Sequence, residues 1–429
     1  MALKRGARLL FQKEPAISLP TAELNTLPQV ILPYAFPTDA TVIPTVHLYD
    51  TVRKGTRLST VEDDPISAVC SSVTGLVSGE REIQHPLYGT LSCVVIDCLP
   101  DNPTPEVPTP ASEQFTPEYI LQAAKEAGIV DELDGVPLSL KLQDWQTNGC
   151  GFLVVDAVEI EPFSSSAWAV LHDYAEQVLE GLRMLARCAG VTRYHIAVCL
   201  SGARRRALTL RIGKPFLYQT DSYYPVTDIV HRGKKFGTHS APHSATVGRV
   251  GVQACLALYR ALFLSEPHSR CVVTVAGDAV PQPQNVSVPF GATLQQLLEF
   301  CDVSDLPDYV IVGEQMTGTA VSSLDIPVLP GMTCLLAFST KTLRTPATYS
   351  CVGCGRCAQS CHAGLLPFEI VRRHQNMHYE RLSSLRADEC DGCNACSFVC
   401  PSGIPLASIV EEAKAASGAV FLDMEDSHA

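Results

Sequence analysis

The sequence lacks any run of about 18 apolar residues, the length that a membrane-spanning helix needs. It also lacks the apolar core of a signal peptide, because the stretch from Met1 to Gly6 leads directly into mixed sequence. Direct insertion into a membrane is therefore not expected, and the simplest location is the cytoplasm. Association with a membrane complex would be peripheral and would go through partner proteins.

Basic residues are scarce relative to acidic ones: 32 Lys and Arg face 45 Asp and Glu, which gives a formal net charge of -13. Nucleic-acid binding depends on clustered Lys and Arg that neutralise phosphates, so no nucleic-acid partner is expected. An anionic membrane surface is disfavoured for the same reason. The 46% hydrophobic and 18% charged residues are typical of a folded globular chain, and 429 residues suffice for two to four domains.

Cysteine, in contrast, is abundant, with 18 residues. In a small secreted protein such a number would predict disulfides, but this chain is large and shows no export signal. Metal binding or redox chemistry is the better interpretation. Two runs share the pattern C-x2-C-x2-C-x3-C: Cys351, Cys354, Cys357 and Cys361, then Cys390, Cys393, Cys396 and Cys400, the last followed by Pro401.

The spacing within each run suits an iron-sulfur cube. Three thiolates two residues apart on a tight loop can wrap one face of the cube, and the fourth ligand must come from elsewhere. In two-cluster ferredoxins the last cysteine of each run binds the other cluster. We therefore expect two [4Fe-4S] clusters, one on Cys351, Cys354, Cys357 and Cys400, the other on Cys390, Cys393, Cys396 and Cys361.

Zinc and disulfides are the alternatives for these runs. Zinc prefers two C-x2-C pairs in a tetrahedral site and does not need the additional cysteines. Gly355 and Gly392 fit a cluster loop, because backbone amides near the sulfurs must point inward. His362 stands where the first run would usually carry proline, which removes no ligand.

Cys150, on a glycine-flanked turn, is interpreted as a structural cysteine; an exposed thiol of depressed pKa there would instead be redox active.

Changes in composition divide the chain into modules. Residues 26–100 are rich in Val, Thr and Pro and predict a small β-sandwich, whose paired turns resemble those of biotinyl and lipoyl carriers, the barrel-sandwich hybrid type. The proline-rich stretch 101–115 predicts a stiff linker. From 116 to 265, helical patterns alternate with apolar strands, which indicates an α/β domain.

The remainder of the chain predicts two further modules. Residues 266–340 are again rich in strand formers. The cysteine-bearing module, 341–415, is predicted to be helical, with one helix over 367–382 and another from Pro405 onward. The fold class is therefore a multidomain α/β protein with a C-terminal helical ferredoxin-type domain.

With this order of modules, the cysteine domain resembles RnfC, the cluster-bearing subunit of the Rnf ferredoxin:NAD oxidoreductase, and soluble relatives such as PrdC of proline reductase systems. The likeness runs from about residue 35 to 415 and is most specific over 361–367 and 400–405. The stretch 272–280 resembles the family's β-grasp-like SLBB module, and 310–318 matches the phrase after it. The resemblance implies a role in electron transfer with redox proteins as partners: a reductase, a ferredoxin or a flavoprotein.

For residues 116–265 the resemblance implies the FMN- and NADH-binding fold that the family shares with complex I. The family's glycine-rich flavin loop, G-x-G-G-A-G-F-P-T ahead of a lysine, is degenerate here, since the stretch 128–142 keeps only Gly135, Pro137 and Lys141. Where the loop's amides should approach a phosphate, the chain carries the carboxylates of Asp131, Glu132 and Asp134. That chemistry disfavours both FMN and NADH.

The family's second flavin phrase keeps its two glutamates, Glu159 and Glu161, and loses its Asn-Gly turn. If flavin were retained, the resemblance implies that its contacts are Gly135, Lys141, Glu159 and Glu161. A helix and strand that merely preserve the fold are the favoured interpretation. No catalytic residue is predicted.

Three functions therefore compete. The first is a relay that passes electrons through its clusters to a partner and performs no substrate chemistry. The second is an FMN-containing, NADH-dependent oxidoreductase in its own right. The third and weakest is a scaffold whose clusters are only structural.

Overall fold

The protein is a mixed α/β chain with several sheets. The computed structural model describes residues 5–36, 42–61, 69–100, 115–220, 222–225, 247–303, 306–339, 347–379 and 382–426. The predicted linker, 101–115, lies almost wholly outside the described residues. Among the helices that the structure describes, none combines the length and apolarity that crossing a membrane requires.

An antiparallel sheet comes first and follows the strand order β2-β7-β6-β4. It is built from β2 (Gln29–Pro33), β4 (Thr51–Val52), β6 (Gly75–His85) and β7 (Gly89–Cys98), and a separate pair is formed by β3 (Val42–Pro44) and β5 (Ser59–Val61). Strands β6 and β7 form a long hairpin with an irregularity between Val77 and Gly79.

The central sheet is parallel and has the order β10-β9-β8-β11. Its strands are β8 (Phe152–Ala157), β9 (Tyr194–Val198), β10 (Leu217–Gln219) and β11 (Val247–Gly251). Every residue of β8 is buried. Leu153 and Val155 face the helices, whereas Phe152 and Val154 belong to a separate small cluster on the opposite face. The covering helices are α1 (Pro117–Glu126), α2 (Leu138–Asn148), α3 (Ser166–Cys188), α4 (Gly202–Ile212) and α5 (Val252–Leu264).

A six-stranded mixed sheet follows, in the order β1-β13-β12-β16-β14-β15. It contains β1 (Ala22–Glu23), β12 (Arg270–Ala276), β13 (Gln284–Pro289), β14 (Tyr309–Val312), β15 (Thr319–Val321) and β16 (Cys334–Phe338), with α6 (Leu294–Phe300) beside it. Thr293 and Gln296 form a capping box at the start of α6.

The first antiparallel sheet and the six-stranded sheet share one hydrophobic core. Ile31 and Ile96 of the former belong to the same buried cluster as Val273, Val286 and Leu335 of the latter. The segments 26–100 and 266–340, far apart in sequence, therefore bury their apolar faces together. The α/β part of the chain has a core of its own.

The C-terminal part is helical and small. It comprises α7 (Arg356–Ser360), α8 (Pro367–Gln375), α9 (Ala395–Phe398) and α10 (Leu406–Asp426), with short 3-10 turns at Ser383–Leu385 and Ala387–Glu389. The helix predicted over 367–382 ends at Gln375, because Met377 adopts a left-handed conformation with φ of 55°. A third core lies between α8 and α10 and includes Ile370, Val410 and the side chains of Cys357 and Cys396.

Helices α3 and α5 approach so closely at Gly181 that a methyl group added there would clash with the backbone of α5. A Cβ there would lie 2.1 Å from the carbonyl oxygen of Cys255. We expect Gly181→Ala to cost about 1 to 3 kcal/mol in the free energy of unfolding, because backbone must move to admit it. Denaturant unfolding measures this. Gly79→Ala is the control, since nothing lies within 4 Å of a Cβ at that position; equal losses in both variants would contradict the packing argument.

Candidate metal centre

The two cysteine runs have the same backbone course. In the first run Gly353 and Gly355 have φ of 67° and 71°, and in the second Gly392 and Asn394 have φ of 69° and 60°. Glycine reaches this left-handed region without a steric penalty, and asparagine is among the few other residues that tolerate it. Each loop then enters a short helix, α7 or α9, which carries the third cysteine of its run.

Four cysteines line each of two cavities in this domain, and none of the eight forms a disulfide. The first cavity is lined by Cys351, Cys354, Cys357 and Cys400. The second is lined by Cys361, Cys390, Cys393 and Cys396. Both cavities are small, about 60 and 20 Å³. In each cavity the fourth cysteine comes from the other run, which is the grouping that crossed ligation requires.

The chemistry of these cavities suits a cationic group that binds sulfur. Burial raises the pKa of Cys393 to about 12 and that of Cys396 to about 11, so neither thiol readily ionises alone. Metal binding supplies the positive charge that stabilises a buried thiolate. Backbone N-H groups already point at two sulfurs, from Gly353 to Cys351 Sγ and from Leu365 to Cys361 Sγ, each at 3.4 Å. The eight residues therefore fit iron-sulfur clusters.

A histidine-aspartate pair joins the two runs beside the second cavity. His362 Nε2 lies 2.7 Å from Asp391 Oδ2, and the hydrogen bond to His362 lowers the pKa of Asp391 to about 2. The ligand atoms of His362, Asp391 and Cys393 lie within 4.8 Å of one another. Sequence reasoning noted His362 only as a replacement for proline and missed its partner, since no local pattern connects residues 29 positions apart.

The residues predicted to contact flavin are engaged with the protein itself. Lys141 Nζ lies 2.5 Å from Asp131 Oδ2 and 2.6 Å from Asp134 Oδ2. Glu159 accepts hydrogen bonds from the backbone N-H groups of Ala167 and Trp168, at the start of α3.

The other two predicted flavin contacts lie elsewhere. Glu161 accepts hydrogen bonds from the N-H of Met316 and the hydroxyl of Thr317. Gly135 has φ of 71° and faces Tyr88. The structure does not gather the four predicted residues: Glu159 lines a cavity at the ends of β8 and β9, and the other three are absent from its lining.

Carboxylates of the degenerate loop occupy the start of helix α5. Glu132 accepts hydrogen bonds from the N-H groups of Gln253 and Ala254, at 2.6 and 3.0 Å, and Asp131 accepts one from Gly251 at 2.9 Å. A helix N-terminus after a parallel strand is where α/β folds commonly hold a phosphate. Here the side chains of Asp131 and Glu132 occupy the start of this helix.

The N-terminal segment covers the neighbouring cavity. Phe11, Lys13 and Ile17 line it together with Trp168 and Arg204. Lys13 is buried and donates hydrogen bonds to the carbonyl oxygens of Glu159 and Ser164. The carboxyl edge of the parallel sheet is thus closed by this segment at β8 and β9 and by the loop carboxylates at β11.

Comparison with known proteins agrees with the cysteine geometry. Residues 350–404 match the 4Fe-4S dicluster domain family. The chain is 26% identical over 371 residues to the C subunit of the ion-translocating oxidoreductase complex of Rhodobacter capsulatus, covering 82% of this chain and 71% of that protein. It is 26% identical to the C subunit of the Na(+)-translocating ferredoxin:NAD(+) oxidoreductase complex of Acetobacterium woodii, over 90% of both chains. The chain is RnfC-like. It is accordingly an iron-sulfur protein of electron transport.

Other similar proteins are longer than this RnfC-like chain. The corresponding ion-translocating oxidoreductase protein of Pectobacterium carotovorum is 30% identical over 68% of this chain, which spans only 40% of that protein. Among solved structures, an NAD+-reducing [NiFe]-hydrogenase in the air-oxidized state is similar with a TM-score of 0.43 and 16% identity. That match covers 68% of this chain and 60% of the hydrogenase chain.

Lys141 gives a stability prediction. Removing it with Lys141→Met leaves the buried Asp131 carboxylate without its cation, and we expect a loss of about 3 to 5 kcal/mol in unfolding free energy at neutral pH. Burial already raises the pKa of Asp131, and loss of the cation raises it further. A carboxyl whose pKa is higher in the folded chain destabilises it increasingly as pH rises above its unfolded pKa, about 3.9.

The loss caused by Lys141→Met should therefore be smaller at pH 5 than at pH 8, and denaturant unfolding at both pH values measures it. Lys54→Met is the control, because Lys54 is exposed and should change stability little at either pH. An identical loss at both pH values would show that Asp131 is not the group left unpaired.

Proposed function

We propose that this RnfC-like chain relays electrons through two [4Fe-4S] clusters between a carrier and a partner reductase. One cluster is held by Cys351, Cys354, Cys357 and Cys400, the other by Cys361, Cys390, Cys393 and Cys396. The observation that carries the proposal is the pair of cavities, each lined by four cysteines from both runs. When bound, such clusters accept and donate single electrons.

The partners belong to the same proposal. Similar proteins are named as the C subunits of ion-translocating and ferredoxin:NAD(+) oxidoreductase complexes. We propose that this chain likewise exchanges electrons with redox proteins, a ferredoxin, a flavoprotein or a reductase. It would act in the cytoplasm and meet a membrane complex only through such partners.

The module boundaries are proposed with it. Residues 26–100 form a barrel-sandwich-like module, 116–265 the α/β domain, 266–340 the SLBB-like module and 341–415 the two-cluster domain. The core shared by 26–100 and 266–340 supports treating these two as one packing unit.

We further propose that the chain works without FMN. Two arrangements support this: the loop carboxylates at the start of α5, and Lys141 held between Asp131 and Asp134. A phosphate at the start of α5 would have to displace a carboxylate that already accepts those hydrogen bonds. The proposed relay therefore receives its electrons from another protein.

The deciding experiment quantifies iron, sulfide and flavin on one anaerobically purified sample, then follows cluster absorbance as NADH or reduced ferredoxin is added. We expect about eight irons per chain, no flavin, bleaching by reduced ferredoxin and none by NADH. Stoichiometric FMN with bleaching by NADH would make the chain an oxidoreductase in its own right. Clusters that stay inert through a potentiometric titration would instead indicate a structural scaffold.

Crossed ligation is tested by paired alanine variants. If the last cysteine of each run serves the other cluster, Cys351→Ala with Cys400→Ala removes two ligands from one cluster, and about half the iron remains. Cys396→Ala with Cys400→Ala then damages both clusters, and little iron remains. If each run held its own cluster, Cys351→Ala with Cys400→Ala would damage both clusters, and Cys396→Ala with Cys400→Ala would damage only one. Cys150→Ala, at a half-buried cysteine outside the two runs, should keep the full iron content.

A further inference from the structure

The loop of the second cysteine run is bonded to the body of the protein at two adjacent residues. The hydroxyl of Tyr224 donates a hydrogen bond to the carbonyl oxygen of Cys393 at 2.7 Å. The side-chain amide of Asn394 donates to the carbonyl oxygen of Met316 at 2.8 Å. Tyr224 is only 6% exposed, so its bond is shielded from water. The two contacts come from segments nearly a hundred residues apart and converge on one turn.

Glu161 connects these two contacts. Its carboxylate accepts a hydrogen bond from the N-H of Met316 at 2.5 Å and one from the Thr317 hydroxyl at 3.2 Å. The Tyr224 hydroxyl, whose single proton is donated to Cys393, also interacts with this carboxyl group. Glu161 is 3% exposed. We name Glu161, Tyr224, Met316 and Asn394 the Glu161 clamp.

Within the described residues, the first cysteine run has no such attachment at the corresponding turn. Its equivalent positions are Cys354 and Gly355, where Gly355 shares the left-handed conformation of Asn394 but has no side chain. Cys354 is exposed, whereas Cys393 is half-buried. In the described part of the chain, no hydrogen bond from the central sheet or its loops reaches Cys354. The two loops follow one backbone course, and within the described residues only the second is held by the clamp.

This difference bears on the redox properties of the bound groups. The potential of an iron-sulfur cluster depends on hydrogen bonding around its ligands, on nearby charge and on exposure to solvent. A donor that withdraws electron density from a ligand residue stabilises the reduced, more negative cluster. The clamp places such a donor at Cys393 and fixes the turn that carries it.

Resting on the proposed two-cluster relay, we propose that the Glu161 clamp positions the Cys393 turn and that Tyr224 raises the reduction potential of the cluster held by the second run. Tyr224 is a positioning residue, since it acts through Cys393. Glu161 thereby has a role other than contact with a flavin. The clamp also makes two clusters of the same motif electrochemically different, which a relay needs if electrons are to favour one of its ends.

The test is an anaerobic potentiometric titration of the full chain, followed by the EPR signals of the reduced clusters. Tyr224→Phe removes the donor and keeps the ring. We expect full iron content and a shift of one midpoint potential to a lower value, with the other unchanged. Tyr349→Phe is the matched control: Tyr349 is 67% exposed and its backbone N-H bonds to Ser402, which lines the first cavity. It should leave the midpoint assigned to the second run unmoved.

Asn394→Gly is the second variant. It introduces the residue that the first run carries at this position, Gly355, suits the left-handed turn and removes the amide that reaches Met316. We expect broadening or a shift confined to the same signal that Tyr224→Phe alters. If Tyr224→Phe loses iron, Asn394→Gly alone decides the matter.

The outcomes separate the two proposals. A wild-type chain without iron, or with a single cluster, would overturn the relay itself. Two clusters whose midpoints stay in place in both variants, or shift together by the same amount, would leave the relay intact and overturn the clamp.

Discussion

Eight thiols must reach two small cavities from two short loops, and the rest of the C-terminal domain follows from that constraint. A run with two residues between cysteines can present three sulfurs to one side only if the chain turns sharply, which explains left-handed residues at matching positions of both loops. The fourth sulfur of each cavity comes from the other run. Neither half of the domain can therefore complete its site alone.

Because each cavity takes its fourth cysteine from the other run, the helices that carry the two runs lie close together. Helices α8 and α10 pack on each other, and their shared core includes the side chains of Cys357 and Cys396. The apolar contacts of the domain and its cysteine cavities are thus one structure. With so few apolar side chains in this core, bound metal would contribute much of the domain's folding energy.

In the central α/β part of the chain, glutamate side chains occupy the starts of two helices. Glu132 accepts at the start of α5 and Glu159 at the start of α3, and each satisfies N-H groups that a phosphate would otherwise meet. Such carboxylates stabilise helix termini through the helix dipole.

How far the sequence alone could lead differs between the two sites. Cysteine spacing is a local pattern, so the sequence alone predicted iron-sulfur binding, and the match to the 4Fe-4S dicluster domain family supports that coarser prediction. The sequence predicted that α8 would extend to residue 382, but it ends at Gln375. The helical pattern of side chains continues past Met377, whose left-handed backbone stops the helix. The sequence showed that the 128–142 stretch carries carboxylates where a glycine-rich loop was expected. It could not show their partners, because the α5 N-H groups that bind Glu132 lie more than a hundred residues away.

The sequence by itself determined the chemistry of this protein: cysteine spacing, acidic charge and the absence of apolar spans are properties of neighbouring residues. Only the tertiary structure decided the arrangement. It brought segments 26–100 and 266–340 into one core, turned Glu161 toward Met316, and placed Tyr224 against Cys393. The reason is physical: hydrophobic burial and buried hydrogen bonds pair groups by proximity in space, and a linear pattern carries no record of which distant segment will satisfy them.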